Sequence, residues 1–257
     1  MFARLNLRNK QNSLRNNKFS SRIKSFSSRR FSLARKRIQI ALVKSLVEEI
    51  DGIVEKKSLL KHPFYQMWSK GELNEDHLKG YSREYFQLVK QVPTLVSNTL
   101  EKSESCFHDS IRENLDEEKD HVALWIRFCS SLGISTKALQ QYKGLSKSVE
   151  AVKDLKSLTS LSFEEAVAAL YAYELELPKI SATKIDGLKK FYGLKSLDAL
   201  IYFETHEKAD VKHAAVWRKI LSNVNDKRGR ALALRAAIRS LEAQNKLLDS
   251  VMEEYVN

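Results

Sequence analysis

The chain has 257 residues, 43% of them apolar and 30% charged, which is enough to bury a sizeable core in one large domain or two small ones. Only eight Gly and three Pro punctuate it, and no G-x-G occurs, so many-stranded sandwiches and barrels and glycine-rich phosphate-binding folds are excluded in favour of long helices. The net charge of +12 lies wholly in the first 40 residues, which carry 12 Lys and Arg and no Asp or Glu, so the body is neutral and nucleic acid is not expected as a partner.

Residues 1–38 are rich in Arg and Ser, with scattered Phe and Leu. This is the composition of an organellar transit peptide, and Arg29-Arg30-Phe31-Ser32 resembles a matrix-peptidase cleavage region. The alternative is a basic arm that binds RNA or lipid. The expected location is the mitochondrial matrix in a eukaryote, with a plastid second, and the cytoplasm in a bacterium. No run of 18 apolar residues occurs, so no stable membrane insertion is expected. Cys106 and Cys129 are too few for a disulfide framework and read as reduced thiols on helices.

The body, 39–257, reads as a single helical domain. Leu42, Val43, Leu46, Val47, Ile50, Ile53 and Val54 give the first amphipathic helix, through residue 57. Pro63 suits the first turn of the next helix, and Asn74-Glu75-Asp76 opens a third that Pro93 interrupts. Further helices are predicted over 105–115, 117–132, 146–157, 162–177, 179–191, 196–222 and 228–254, with Gly133 closing one of them.

Ligand-type side chains stand where core residues belong. Phe203, His206, Asp210, His213 and Trp217 follow at intervals of 3, 4, 3 and 4, and so share one helix face marked as buried by its two aromatics. Phe163, Val167, Leu170 and Glu174 form a second such stripe, and Glu117, His121, Trp125 and Phe128 a third. Unpaired burial of these polar groups would be costly, whereas bound metal turns neutral imidazoles and carboxylates into satisfied ligands. Glu117, His121, Glu174, His206, Asp210 and His213 are therefore the candidate ligands of a dinuclear iron or manganese centre, held as helical bundles hold such pairs.

Several strings carry a family resemblance: His62-Pro63-Phe64-Tyr65 with Trp68-Ser69-Lys70-Gly71-Glu72-Leu73, Asn114-Leu115-Asp116-Glu117-Glu118 with His121 and Leu124-Trp125, Ala169-Leu170-Tyr171-Ala172-Tyr173-Glu174, Lys184-Ile185-Asp186-Gly187-Leu188, and Tyr202-Phe203, His206-Glu207, Ala209-Asp210-Val211 and His213-Ala214. Across most of 42–220 the chain resembles the haem-oxygenase-like di-iron proteins related to the chlamydial protein associating with death domains, within the wider TenA/PqqC-like superfamily. The resemblance implies an all-α bundle of about seven core helices without haem. It also implies an Fe/Fe or Fe/Mn centre that activates O2 with a reductant, bound by the six residues above. It further implies formation of p-aminobenzoate for folate, with Tyr65 supplying the ring, Lys184 the amino group, and Tyr81 as a second candidate tyrosine. Expected partners are O2 and a small-molecule reductant, with a homodimer open as an assembly.

One departure from the family lies between the Glu pair and His121, where only Lys119 and Asp120 intervene. Glu117 then stands four residues before His121 and Glu118 three, and the latter is the Glu-x-x-His arrangement of ferritin-like proteins, so either Glu fits. Three other functions compete. A cofactorless relative like the pyrroloquinoline quinone oxidase is opposed by three carboxylates facing one centre, which need a cation to coexist. A thiaminase-like member needs a cysteine on the Glu174 helix, and 163–177 has none. A non-enzymatic helical interaction module has no use for buried ligand groups.

Overall fold

The computed structural model describes residues 44–257, so the expected arm at 1–38 and the start of the first helix lie outside the described residues. Among the described residues the regular structure is helical, no strand forms, and no helix is long and apolar enough to cross a membrane.

Helix α1 (Leu46–Lys56) starts at a capping box in which Ser45 and Glu48 satisfy each other's backbone N–H groups. A short 3-10 turn (Leu59–Lys61) is tied down by Glu176, whose carboxylate accepts from Leu59 N at 2.9 Å and from the Ser58 hydroxyl. Pro63 lies in the first turn of α2 (Pro63–Lys70), where its missing N–H costs nothing. Helix α3 (Glu75–Val89) stops before Pro93, which falls in the first turn of α4 (Val92–Leu100). Helix α5 (Ser105–Ser131) is one continuous element of 27 residues, where the pattern predicted two with a break at residue 116. Neither Gly nor Pro interrupts it. Gly133, at a φ of 76°, closes it in the left-handed conformation expected of that glycine.

The short α6 (Thr136–Gln141), not foreseen, leads to α7 (Ser146–Thr159). Helix α8 (Phe163–Glu174) is capped by Ser162 and Glu165 and buried from Ala166 to Glu174, which makes it the central element. It ends at Glu174, not at 177, because Pro178 begins α9 (Leu177–Lys190). Helices α10 (Leu197–Leu221) and α11 (Lys227–Val251) follow, the latter passing into a π turn at Met252–Val256. Helix α8 packs against α11 and α10, α10 against α5 and α9, and α9 against α2. Helix α10 is therefore flanked by α8, α5 and α9.

Candidate metal centre

Helix α10 has a fully apolar frame for its polar face. Phe203 and Trp217 are completely buried, and so, to within 3% exposure, are His206, Asp210 and His213 between them. Helix α5 brings His121 against His206, with ring centroids 4.4 Å apart. Helix α8 adds Glu174, which is fully buried and accepts from Trp217 Nε1 at 2.6 Å.

Two groups of ligand atoms form there. One is Glu118, His121 and His206, the other Glu118, Asp210 and His213, with the atoms of each within 4.8 Å of one another. Glu118 is shared by both; four of the six residues expected from the stripes belong to these groups, and a fifth, Glu174, lies beside them, 3.9 Å from His213 Nδ1. Glu117 stands outside both groups, its side chain 32% exposed, and accepts from His213 Nε2 at 2.9 Å. That bond fixes the proton on Nε2 and leaves Nδ1 of His213 facing Glu118 at 3.5 Å, Asp210 at 3.6 Å and Glu174 at 3.9 Å. His206 is fixed the other way round: Nδ1 donates to Tyr202 O at 2.8 Å, so Nε2 carries its lone pair.

Charge makes the same point. Burial pushes the carboxyls of Glu174 and Asp210 well above the usual range. Burial also pulls His206 down to about 4, so its imidazole is neutral at physiological pH, the form that binds metal. Burial raises Glu118 too, but His121, His206 and His213 outweigh it and hold this carboxyl below the usual range. His121 Nδ1, His213 Nδ1, Glu174 Oε1 and both oxygens of Asp210 are buried without a hydrogen-bond partner. Each such atom costs about 1–3 kcal/mol. A donor set of imidazoles and carboxylates with its lone pairs turned to a common point fits divalent iron or manganese.

Beside this cluster lies a second one, made of aromatic rings around an amine. Lys184 is 2% exposed, and its Nζ donates to the Tyr81 hydroxyl at 2.5 Å. The same nitrogen lies 5.4 Å from the Tyr65 ring centre, 4.9 Å from those of Tyr81 and Tyr85, and 5.2 Å from that of Phe203. The amine is aimed there by backbone packing. Trp68 Nε1 donates to Lys184 O, and a Cβ on Gly187 would come within 2.5 Å of that indole nitrogen. Burial lowers Lys184 to about 7. It raises the phenol of Tyr65 far above its ordinary value, against a hydrogen bond with Tyr81 that lowers it.

Tyr85, Tyr173 and Tyr202 join the two clusters and were not singled out from sequence. Glu118 acts on all three phenols, and Asp210 on two of them, Tyr85 and Tyr202. The Tyr202 ring stacks on His206 at 4.0 Å. Their signal in the sequence is spacing alone, since Tyr85 follows Tyr81, and His206 follows Tyr202, by one helical turn.

The model of the TENA/THI-4/PQQC family matches residues 49–254. The chain is 34% identical over 224 residues to a 4-aminobenzoate synthase of Nitrosomonas europaea, covering 81% of this chain and 91% of that protein. It is 32% identical over 176 residues to a 4-aminobenzoate synthase of Chlamydia muridarum, covering 66% and 75%. Among solved structures, a domain from Shewanella denitrificans with a heme oxygenase-like fold superposes with a TM-score of 0.63 at 17% identity, covering 87% of this chain and 93% of that one.

Proposed function

The chain belongs to the TENA/THI-4/PQQC family, with a haem-oxygenase-like all-α fold, and from that footing we propose that it is an O2-activating di-metal enzyme forming 4-aminobenzoate from its own Tyr65, with Lys184 as amino donor. The observation that carries this reading is the buried, easily deprotonated amine of Lys184 held against the rings of Tyr65 and Tyr81. The similarity to the 4-aminobenzoate synthases of Nitrosomonas and Chlamydia supports the product.

Glu118, His121 and His206 would hold one metal ion and Glu118, Asp210 and His213 a second, with Glu174 on the His213 side, and there the pair would supply the binding and reduction of O2. Everything else falls to the chain's own groups. Glu117 holds His213 in the tautomer that presents Nδ1, and Tyr202 does the same for Nε2 of His206. The aromatic shell of Tyr81, Tyr85, Trp125 and Phe203 keeps water from Lys184 Nζ, so near neutral pH a large share of the amine is uncharged and nucleophilic. The Tyr65 phenol keeps its proton at rest, so its oxidation removes a proton along with an electron. An oxidised phenol ring is an electrophile. 4-Aminobenzoate carries nitrogen where tyrosine carries oxygen, so the neutral amine must reach that carbon and the ring oxygen must leave as water. Release of the product then requires cleavage of the Lys184 Nζ–Cε bond and of the Tyr65 Cα–Cβ bond, with Cβ oxidised to the carboxylate by O2 and the reductant.

This chemistry consumes a residue, so product cannot exceed one molecule per chain. Tyr65→Phe is expected to keep its metal, since it supplies no ligand, yet to release no aromatic amine. Lys184→Arg is expected to behave likewise, because guanidinium stays protonated. Anaerobic loading with Fe(II) and Mn(II), then O2 and a reductant, with mass analysis of both protein and small molecules, tests this directly. A second reading, oxidation of an external substrate, is favoured by a cavity of about 470 Å3 that reaches His121 and Glu117 between α5 and α10. Many turnovers per chain with Tyr65 intact would select it.

A further inference from the structure

Along the inner face of α5, Asn114, Glu118, His121 and Trp125 follow at intervals of 4, 3 and 4, and all four are buried. Three of them have an evident use: Trp125 Nε1 donates to Ser82 O at 3.0 Å, and Glu118 and His121 belong to the metal centre. Asn114 is only 1% exposed, and neither its Oδ1 nor its Nδ2 has a hydrogen-bond partner. Among the described residues, the other buried side-chain atoms without a partner all belong to His121, Glu174, Asp210 and His213. An amide buried with both ends unsatisfied is expensive, and in the proposed metal centre its companions are left unpaired because they would face an ion.

The helix register says at which end Asn114 stands. Helices α5 and α10 run antiparallel, since His121 meets His206 and Glu118, earlier in α5, meets His213, later in α10. One turn further back from Glu118, Asn114 falls one turn beyond His213, at the level of Trp217. Trp217 there donates to one oxygen of Glu174, and the other oxygen, Oε1, is unpaired.

We propose that the Asn114 carboxamide is a further ligand of the metal centre, binding through Oδ1 at the end formed by Glu174 and His213. This rests on the reading of the cluster as a metal centre. A neutral amide oxygen suits that place: it adds a hard donor of the kind iron and manganese accept, without adding a fourth negative charge to Glu118, Glu174 and Asp210.

The test loads the full chain, Asn114→Leu and Asn114→Asp anaerobically with Mn(II). It then measures bound metal by elemental analysis after exchange against a chelator, and melting temperature with and without the chelator. Leucine has nearly the same size and no donor atom, so metal retention should weaken on the order of 10–100-fold. The chelated Leu variant should melt no lower than the chelated parent, because an unsatisfied amide has been replaced by an apolar group. Aspartate offers an oxygen in the same place, and in the loaded protein the metal offsets its added charge, so it should restore retention. Asn114→Ala repeats the measurement if Leu fails to fold. Undiminished metal in the Leu variant overturns the proposal. So does loss of metal in the Asp variant, which would mean that the amide N–H had been the working group. His206→Ala serves as the separate control: if it and the parent hold the same metal, or neither holds any, the metal centre itself fails and this ligand with it.

Discussion

An ammonium group stripped of water is costly, so burial makes Lys184 give up its proton at about 7, whereas an unfolded lysine keeps it to about 10.4. Between those values the unfolded chain binds the extra proton. Stability contributed by this residue therefore rises with pH across that window, by about 1.4 kcal/mol per unit, and stops changing below it, where both states are protonated. The unfolding free energy of the parent minus that of Lys184→Met should show this slope between about pH 7 and 10, the other groups cancelling; a flat difference would mean that the folded amine stays charged. In the folded chain the nucleophilic form fills as pH passes about 7, so single-turnover yield should climb there and level off above it. Little of this was legible from the sequence. Tyr65 and Lys184 came from resemblance, since an aromatic beside Pro63 and a lysine among lysines have ordinary readings. The one local sign is that Ile180, Lys184 and Leu188 follow four apart, a polar residue in an apolar stripe, and all three are buried.

On helix α10 the polar face was readable without any resemblance, because Phe203 and Trp217 bracket His206, Asp210 and His213 at helical spacing, and the structure buries all five. On α5 the reading stopped between two neighbouring glutamates. A continuous helix settles which one faces inward, because Glu118 lies seven residues from both Ile111 and Trp125, each completely buried, while Glu117 is turned toward the half-exposed flank. The sequence carried that signal, but the assumed break at 116 cut it in two. At this scale the expected outcome is a separation of metal binding from stability. His206→Ala and Asp210→Ala should each lose most bound metal by elemental analysis. Asp210→Asn should also lose metal, yet raise the melting temperature of chelated protein. Burial and the Glu118 charge already push that carboxyl toward its neutral form, and the amide removes the repulsion altogether. A chelated Asp210→Asn protein that melts below the chelated parent would contradict this balance.

At the scale of the whole chain, scarcity of Gly and Pro indicates the helical class; Pro63 marks a helix start, whereas Pro93 reads only as an interruption, and in the structure Pro63, Pro93 and Pro178 each fall in the first turn of a helix. Helix α6 escaped because six residues are too few to show a period. What periodicity could not reach is residues 1–38, which precede the family match at 49–254 and have their own chemistry: positive charge, hydroxyls and no acid. The excess charge of +12 sits in this region and the candidate ligands all lie beyond residue 113, so the two should be separable. A chain lacking 1–38 is expected to bind as much metal, melt at the same temperature and yield as much aromatic amine as the full chain. Residues 1–38 fused to a fluorescent reporter in a eukaryotic cell are expected to carry it into mitochondria and be trimmed there, since an acid-free, Arg- and Ser-rich segment is the kind that import machinery and the membrane potential act on. A reporter that stays diffuse and uncleaved rules out the address. A truncated chain that loses metal or melts early would mean that the basic segment is part of the folded enzyme.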